Sequence, residues 1–221
     1  MTEVKHIPLF PLKTVLFPGM ILPLHIFEKR YKTMIAHCMT ENSPFGVLLI
    51  KNGRDVDLNA DYFDIGTTAT ITQIDPFDDG RMSILATGLE RFRLLEVSHG
   101  KPYLVGRVEI FPLEALDEKH LSELGDQLRA LFGQYLRAIA EAGRIDPEPV
   151  ALPEDLQALA FQIAVILDIP LHEKQTLLGV ASLCQLLETE LTTLRREMGF
   201  LRDFMTRPPN WLNNSTLFSP N

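Results

Sequence analysis

The sequence predicts an α+β fold, in which a strand-rich first half is followed by a helical second half. The main observation is a change of hydrophobic period near Pro112. Before this residue, apolar side chains alternate with polar ones or form short runs, which is typical of β-strands. After it they recur every three or four residues, which is typical of amphipathic helices. The chain has 221 residues, of which 46% are hydrophobic and 23% charged, as expected of a globular protein that can bury a large core.

Several short strands at close intervals predict a small β-barrel or a pair of packed sheets in the first half. Residues 7–9 and 20–26 are predicted as short or edge strands, because the prolines within and between them cannot donate to a β-ladder. Residues 45–50 form an apolar run of strand length. One early amphipathic helix is predicted from apolar residues at helical spacing, namely Tyr31, Met34, Ile35, Cys38 and Met39.

A long β-hairpin is predicted from residue 65 onward. Residues 65–72 alternate between the two faces of a strand, Asp78-Asp79-Gly80 supplies a turn, and residues 82–86 return. The tip of this hairpin is long and surrounds Phe77. Two further strands are predicted at residues 91–97 and 104–110.

The second half predicts a helical bundle. Apolar stripes at helical spacing run through residues 121–139, 156–167, 171–178 and 183–198. Asp117 is a predicted N-cap, and residues 145–153, with three prolines, are a predicted linker. The predicted organisation is a barrel subdomain at residues 1–112, a helical bundle at 113–205 and a C-terminal tail at 206–221.

Charge and cysteine content exclude several classes of protein. The 21 basic residues are outnumbered by 29 acidic ones, and no basic run occurs, so nucleic acid is not an expected partner. No apolar stretch approaches the roughly 20 residues of a membrane-spanning helix, so no membrane association is expected. Cys38 and Cys184 are far apart and lie among apolar residues, which predicts buried thiols in a reducing, cytoplasmic compartment.

Motifs that carry local chemistry are absent from the sequence. It contains no phosphate-binding GxxxxGK motif, no GxGxxG, no HExxH and no GxSxG. The six histidines are scattered without metal-ligand spacing. The sequence therefore predicts no catalytic residue, no metal site and no cofactor. A pair of catalytic groups brought together only by folding would escape this search.

The opening of the chain carries a long and irregular motif. Residues 7–31 contain PLFPL, then LFPG, then LPLHIFE followed by RY after one residue. This stretch resembles the opening signature of the Lon protease N-terminal domain family. Further segments match in order, namely Phe45-Gly46-Val47, Ile65-Gly66-Thr67, Asp79-Gly80-Arg81, Arg91-Phe92-Arg93, Pro102-Tyr103 and Lys174-Gln175. The resemblance extends from Ile7 to about Leu201.

The resemblance implies a PUA-like β-barrel with one early helix, followed by a helical bundle. In full-length Lon proteases this domain precedes an ATPase module and a peptidase module, and helps to select unfolded or tagged protein substrates and to assemble the oligomer. The resemblance therefore implies a stand-alone, non-catalytic protein-binding module whose partners are unfolded peptide segments or a partner protein. An oligomer is compatible with it.

Four residues are predicted to form the binding site. Phe77, between Pro76 and two aspartates, cannot easily reach the core, and Met82 lies just behind it, so both are candidates for binding unfolded protein. The alternative for Phe77 is a ring folded over its own loop. Arg91 and Arg93 flank Phe92 on the opposite strand face, which predicts either a solvated face or contact with an acidic partner.

Two further expectations concern the opening motif. Phe17, Phe27 and Tyr31 are expected to pack between the first strand and the early helix. Arg30 is expected to pair with an acid such as Glu28 or Asp64.

Two other functions remain open at the level of sequence. One is an enzyme or a binder of small ligands or RNA that uses the cleft between barrel and bundle, because ligand sites favour such junctions. The other is a purely architectural subunit.

Overall fold

The computed structural model describes residues 4–52, 61–115, 118–143 and 151–206, apart from the side chains of Asn52, Glu118 and Phe204. The predicted N-cap Asp117, most of the predicted linker and the tail from residue 207 lie outside the described residues. The predicted α+β class is confirmed, since in the described part of the chain seven strands and one helix precede four further helices. The elements are β1 (Val4–Leu12), β2 (Ile21–Ile26), α1 (Lys29–Thr40), β3 (Phe45–Asn52), β4 (Asp61–Tyr62), β5 (Ile65–Pro76), β6 (Met82–Ser98), β7 (Leu104–Ile110), α2 (Glu118–Gly143), α3 (Leu156–Ile166), α4 (Leu171–Gly179) and α5 (Leu183–Thr206).

Five strands form a closed ring, called here the strand ring. The order is β1, β7, β6, β5 and β3, and β3 returns to pair in parallel with β1, with Leu9 opposite Gly46. The short β4 extends β3, and β2 lies outside the ring against the first half of β6. Because each strand of the ring pairs on both sides, its backbone N–H and C=O groups are not left as a free edge to which another chain could add.

The prediction of two separate strands at residues 82–86 and 91–97 was wrong, because β6 is one strand of 17 residues. Its pairing with β5 shifts register between Thr67 and Ala69 and again between Ile71 and Gln73. Such irregularities bend a strand and increase its twist. The bend lets residues 82–87 of β6 pair with β2, residues 82–93 with β5 and residues 92–98 with β7.

Apolar packing fills the ring and joins it to α1. Phe92 is completely buried inside the ring, and Tyr31 of α1 stacks on Phe10 of β1 with 4.0 Å between ring centroids. The expected position of Tyr31 is confirmed. The last residue of the predicted apolar stripe, Met39, is instead exposed. Cys38 is buried as expected, whereas Cys184 is half-buried.

The helices pack around a core that continues into the strand ring. Residues of α2, α3, α4 and α5 share one buried cluster with Val15, Phe17, Leu49 and Ile65 from the first half of the chain. Phe17 contacts Phe161 of α3, with centroids 6.2 Å apart, so it packs against the bundle and not against α1 as expected. The structure therefore has a packed junction between ring and bundle. No helix among the described residues is long and apolar enough to cross a bilayer.

Local sequence signals explain where two of these helices begin. Asp155 is the N-cap of α3, and its carboxylate accepts a hydrogen bond of 2.7 Å from the backbone N–H of Ala158. The hydroxyl of Ser182 accepts from the N–H of Gln185 at the start of α5. The two caps thus fix the residues at which α3 and α5 begin.

Candidate functional site

The tip of the β5–β6 hairpin is a closed, hydrogen-bonded loop that presents Phe77. The N–H of Phe77 donates to the carbonyl of Arg81 at 2.9 Å, and the N–H of Gly80 donates to the carbonyl of Phe77 at 3.0 Å. Gly80 has φ of +76°, a conformation that residues with a side chain rarely adopt. These contacts hold the backbone of Phe77 in one place.

Asp79 and Arg81 reinforce the tip electrostatically. The Asp79 carboxylate accepts hydrogen bonds from the backbone N–H of Arg81 at 3.0 Å and from its Nε at 2.6 Å. The backbone N–H of Arg81 holds the pKa of the Asp79 carboxyl below its usual value of 3.8, and the guanidinium of Arg81 and the ammonium of Lys32 act in the same direction. Asp79 is therefore ionised at neutral pH, and the turn keeps both hydrogen bonds there.

Phe77 belongs to an exposed group of three rings, called here the aromatic patch, which consists of His25, Phe27 and Phe77. The ring of Phe77 is tilted against that of His25 with centroids 5.7 Å apart, and His25 stacks on Phe27 at 6.1 Å. Phe77 is 46% exposed and Phe27 60%. Phe77 thus contacts a neighbouring strand while much of its ring stays in solvent. The patch joins the hairpin tip to the end of β2.

The alternation of β2 produces the other half of the patch. Leu22 and Ile26 point into the core, whereas Ile21, Pro23 and His25 are exposed. Phe27 continues the outward positions, since side chains two residues apart share a face. The expectation that Phe27 packs under α1 was therefore wrong. The strand period of β2, with Leu22 and Ile26 inward, is the signal in the sequence that would have identified Phe27 and His25.

Met82 supports the patch from below. In the ladder it lies between Ile26 of β2 and Pro76 of β5, while Ser83 lies between His25 and Asp75. Because paired residues share a face, Met82 lies on the inner face and His25 on the outer one. Met82 is half-buried against the core cluster that contains α1. Of the two residues predicted at this tip, Phe77 lies in the patch and Met82 lies beneath it.

The structure separates Arg91 from the other predicted residues. Arg91 is only 3% exposed, and its Nη1 donates to the carbonyls of Leu178 and Val180, at 2.6 and 2.7 Å. The prediction of a solvated strand face was wrong for Arg91, because the end of α4 covers it. Burial lowers the pKa of its guanidinium from 12.5 to about 10, so that it stays charged at neutral pH. Arg91 therefore links the strand ring to the bundle through two hydrogen bonds.

Arg93 is exposed, as predicted, but lies next to the junction and not at the hairpin tip. Its guanidinium lies over the ring of Phe111 at 4.4 Å, on which Arg91 also stacks at 4.7 Å. Arg93 borders an open hollow of about 320 Å³, lined also by Phe63, Asp64 and Gln175. The four predicted residues thus fall into two groups, with Phe77 and Met82 at one location and Arg91 and Arg93 at another.

One local ion pair of the opening motif is confirmed. Arg30 donates through Nε to the Glu28 carboxylate at 2.9 Å, and its guanidinium covers the ring of Tyr31 at 4.4 Å. These contacts lie at the start of α1, directly after Phe27. They anchor the chain at the point where it leaves the aromatic patch.

A protein-family comparison identifies the kind of domain. The family model described as the ATP-dependent protease La (LON) substrate-binding domain matches residues 6–196. Among curated proteins, the Lon protease of Anaeromyxobacter dehalogenans is 27% identical over 199 residues, and Lon protease 2 of Myxococcus xanthus is 28% identical over 204 residues. Each alignment covers 89% of this chain and 24% of the relative. The chain therefore spans about a quarter of the length of these relatives.

Solved structures show the same fold. A Lon N-terminal domain protein from Xanthomonas campestris superposes with a TM-score of 0.63 at 24% identity, over 85% of this chain and 98% of that one. The N-terminal domain of the Mycobacterium avium complex Lon protease superposes with a TM-score of 0.66 at 18% identity, over 86% and 98% of the two chains. The similarity covers both the strand ring and helices of the bundle.

Proposed function

This chain belongs to the ATP-dependent protease La (LON) substrate-binding domain family, and we propose that it is a non-catalytic protein-binding module that holds unfolded polypeptide segments against the aromatic patch. The observation that carries this proposal is the pair of largely exposed phenylalanine rings, Phe27 and Phe77, on a rigid support. Unfolded segments differ from folded proteins mainly in the apolar side chains they expose, so their receptor needs exposed apolar surface.

Side-chain contact, and not strand addition, is the mode of capture. Among the described strands, β2 pairs with β6 alone, so its other edge faces away from the ring. Pro23 stands in the middle of this strand and has no N–H to donate. A peptide that added to this edge would lack a ladder bond there. The exposed rings next to it need no defined backbone register and therefore suit segments of varied sequence.

The non-catalytic part of the proposal rests on chemistry. This chain contains no phosphate-binding GxxxxGK motif and no GxSxG motif. At the ring–bundle junction, the buried Arg91 is held by two backbone carbonyls and points at no acid or nucleophile among its described contacts. Purified protein should release neither phosphate from ATP nor peptides from casein.

The binding test is a fluorescence anisotropy titration with a labelled, permanently unfolded protein whose cysteines have been alkylated. If each ring buries roughly 50 Å² more on binding, at about 25 cal/mol per Å² it contributes about 1.3 kcal/mol, or roughly tenfold in affinity. We expect Phe77→Ala and Phe27→Ala each to weaken binding by about tenfold. Phe200→Ala is the matched control, because Phe200 is as exposed as Phe27 but lies on α5.

Two outcomes separate the function from the site. If the wild-type protein shows no saturable binding, the protein-binding function itself is rejected. If it binds and the Phe27→Ala/Phe77→Ala double variant binds equally well, the aromatic patch is rejected as the site. Thermal melts of all variants show whether a loss of binding reflects unfolding.

A further inference from the structure

A second cluster of chemically reactive side chains lies where the bundle begins. His120 is in the first turn of α2, and Cys184 and Glu188 lie on the first two turns of α5. Cys184 and Glu188 are four residues apart and so share one face of the helix. The structure brings the nitrogen donor of His120 next to a sulfur and an oxygen donor that lie 64 and 68 residues further along the chain.

Packing of the two helices fixes the backbone that carries these groups. Leu121 and Leu124 of α2 are buried in the same core cluster as Leu183 and Leu187 of α5. Each candidate ligand is therefore adjacent in sequence to a buried leucine. The side chains themselves are accessible, since His120 and Glu188 have half of their side-chain surface in solvent and Cys184 is half-buried.

The distances suit a metal ion after a small side-chain movement. The Nε2 of His120 and a carboxylate oxygen of Glu188 are 3.8 Å apart, and all three donor atoms lie within 4.8 Å of one another. Ligands of a tetrahedral zinc ion, with Zn–S of about 2.3 Å and Zn–N and Zn–O of about 2.0–2.1 Å, are separated by roughly 3.3–3.6 Å. Side-chain rotations of the accessible His120 and Glu188 that move their donor atoms by about 1 Å bring the observed separations to those of a tetrahedral site.

We propose that His120, Cys184 and Glu188 form a zinc-binding site that ties α2 to α5. A neutral imidazole, a thiolate and a carboxylate are all common zinc ligands, and the two anionic ligands balance the charge of Zn²⁺. Calcium and magnesium, which prefer oxygen ligands alone, do not suit this set. The solvent side of the cluster leaves the fourth position for a water molecule.

The position of the site gives the metal a structural role. The N–H of Glu114 donates to the carbonyl of Ala181, and the N–H of Leu183 donates to the carbonyl of Glu114. Glu114, which follows β7, thus hydrogen-bonds to the start of α5 at Leu183, one residue before Cys184. Zinc that joins the first turns of α2 and α5 raises the free energy of unfolding, because a ligand bound only by the folded state stabilises that state.

The test uses the whole chain, stripped of metal with a chelator and kept reduced without thiols. Co²⁺ serves as the spectroscopic probe, since a thiolate ligand gives charge-transfer absorption and a tetrahedral site gives strong visible bands. Zn²⁺ affinity is measured by competition with a chromogenic chelator. We expect one equivalent of metal, loss of the charge-transfer band in Cys184→Ser, and at least tenfold weaker zinc binding in His120→Asn and Glu188→Gln.

The other cysteine provides an internal control. Cys38 is buried, and burial raises the pKa of its thiol to about 11, so it should react slowly with iodoacetamide whether or not zinc is present. Zinc should slow the alkylation of Cys184 and raise the melting temperature of the wild-type protein but not of Cys184→Ser. Cys38→Ser should bind zinc like the wild type. The proposal is overturned if zinc binds in less than stoichiometric amount, if Cys184→Ser binds equally tightly, or if zinc leaves the wild-type melting temperature unchanged.

Discussion

Replacing Arg91 with methionine should weaken the junction between the strand ring and the bundle. Arg91 belongs to β6, yet its guanidinium donates to the carbonyls of Leu178 and Val180 at the end of α4. Methionine keeps much of the apolar length of the side chain but cannot donate. The change therefore removes two hydrogen bonds across the junction and leaves two carbonyls without this donor.

The magnitude follows from two opposing contributions. Two hydrogen bonds from a charged donor contribute roughly 3–6 kcal/mol together. Burial of the guanidinium opposes this, since it lowers the pKa from 12.5 to about 10, and that difference corresponds to about 3 kcal/mol. Methionine avoids this desolvation cost, but the two carbonyls that lose their donor are left without a hydrogen bond, which destabilises the folded state. We expect a net loss of about 2 kcal/mol, which in a chain of this size lowers the melting temperature by roughly 4–8 °C.

Arg93→Met is the matched control, because Arg93 lies two residues away on the same strand and stacks on the same Phe111 ring while being exposed. It should cost less than about 1 kcal/mol. The assay is urea unfolding followed by circular dichroism for the helices and by tyrosine fluorescence. If Arg91→Met is no less stable than Arg93→Met, the two carbonyl contacts do not stabilise the junction and the reasoning fails.

Two further predictions concern buried positions. Glu190 is completely buried, neither carboxylate oxygen has a hydrogen-bond partner among the described residues, and burial holds its pKa well above the usual 4.5. The folded protein therefore keeps a proton that the unfolded chain releases, so the contribution of Glu190 to stability is fully present below pH 4.5 and is lost as the pH rises towards the pKa of the folded state. Glu190→Gln should flatten this fall above pH 4.5 in urea titrations, whereas the exposed Glu123→Gln should keep it, and equal slopes in both variants would refute the assignment. Gly88→Ala should lower the free energy of unfolding by about 1–3 kcal/mol, because the added Cβ would collide with the carbonyl of Phe17. Gly179→Ala, with open space around the added Cβ, should be neutral or stabilise the protein. Similar melting temperatures for the two variants would contradict this.

Parts of the site were predictable because they depend on local rules. Phe77 stands between a proline and two aspartates at a hairpin tip, where a ring has no core to enter, and the structure leaves it 46% exposed. The contact with His25 was not predictable in this way, since it depends on the pairing of β2 with β6 outside the ring. For Arg91 the local rule gave the wrong answer. A charged side chain on a strand is expected in solvent, but the end of α4, which is distant in sequence, covers this one.

Hydrophobic period and turn residues in the sequence alone determined the division into strands and helices, the early helix and the hairpin. The motif in residues 7–31 indicated the family to which the chain belongs. Only the tertiary structure decided which side chains meet, because contacts such as those of Arg91 with Leu178 or of His120 with Glu188 join residues 68–87 positions apart. Local preferences act over a few residues, whereas burial and pairing across such distances depend on how the finished elements pack.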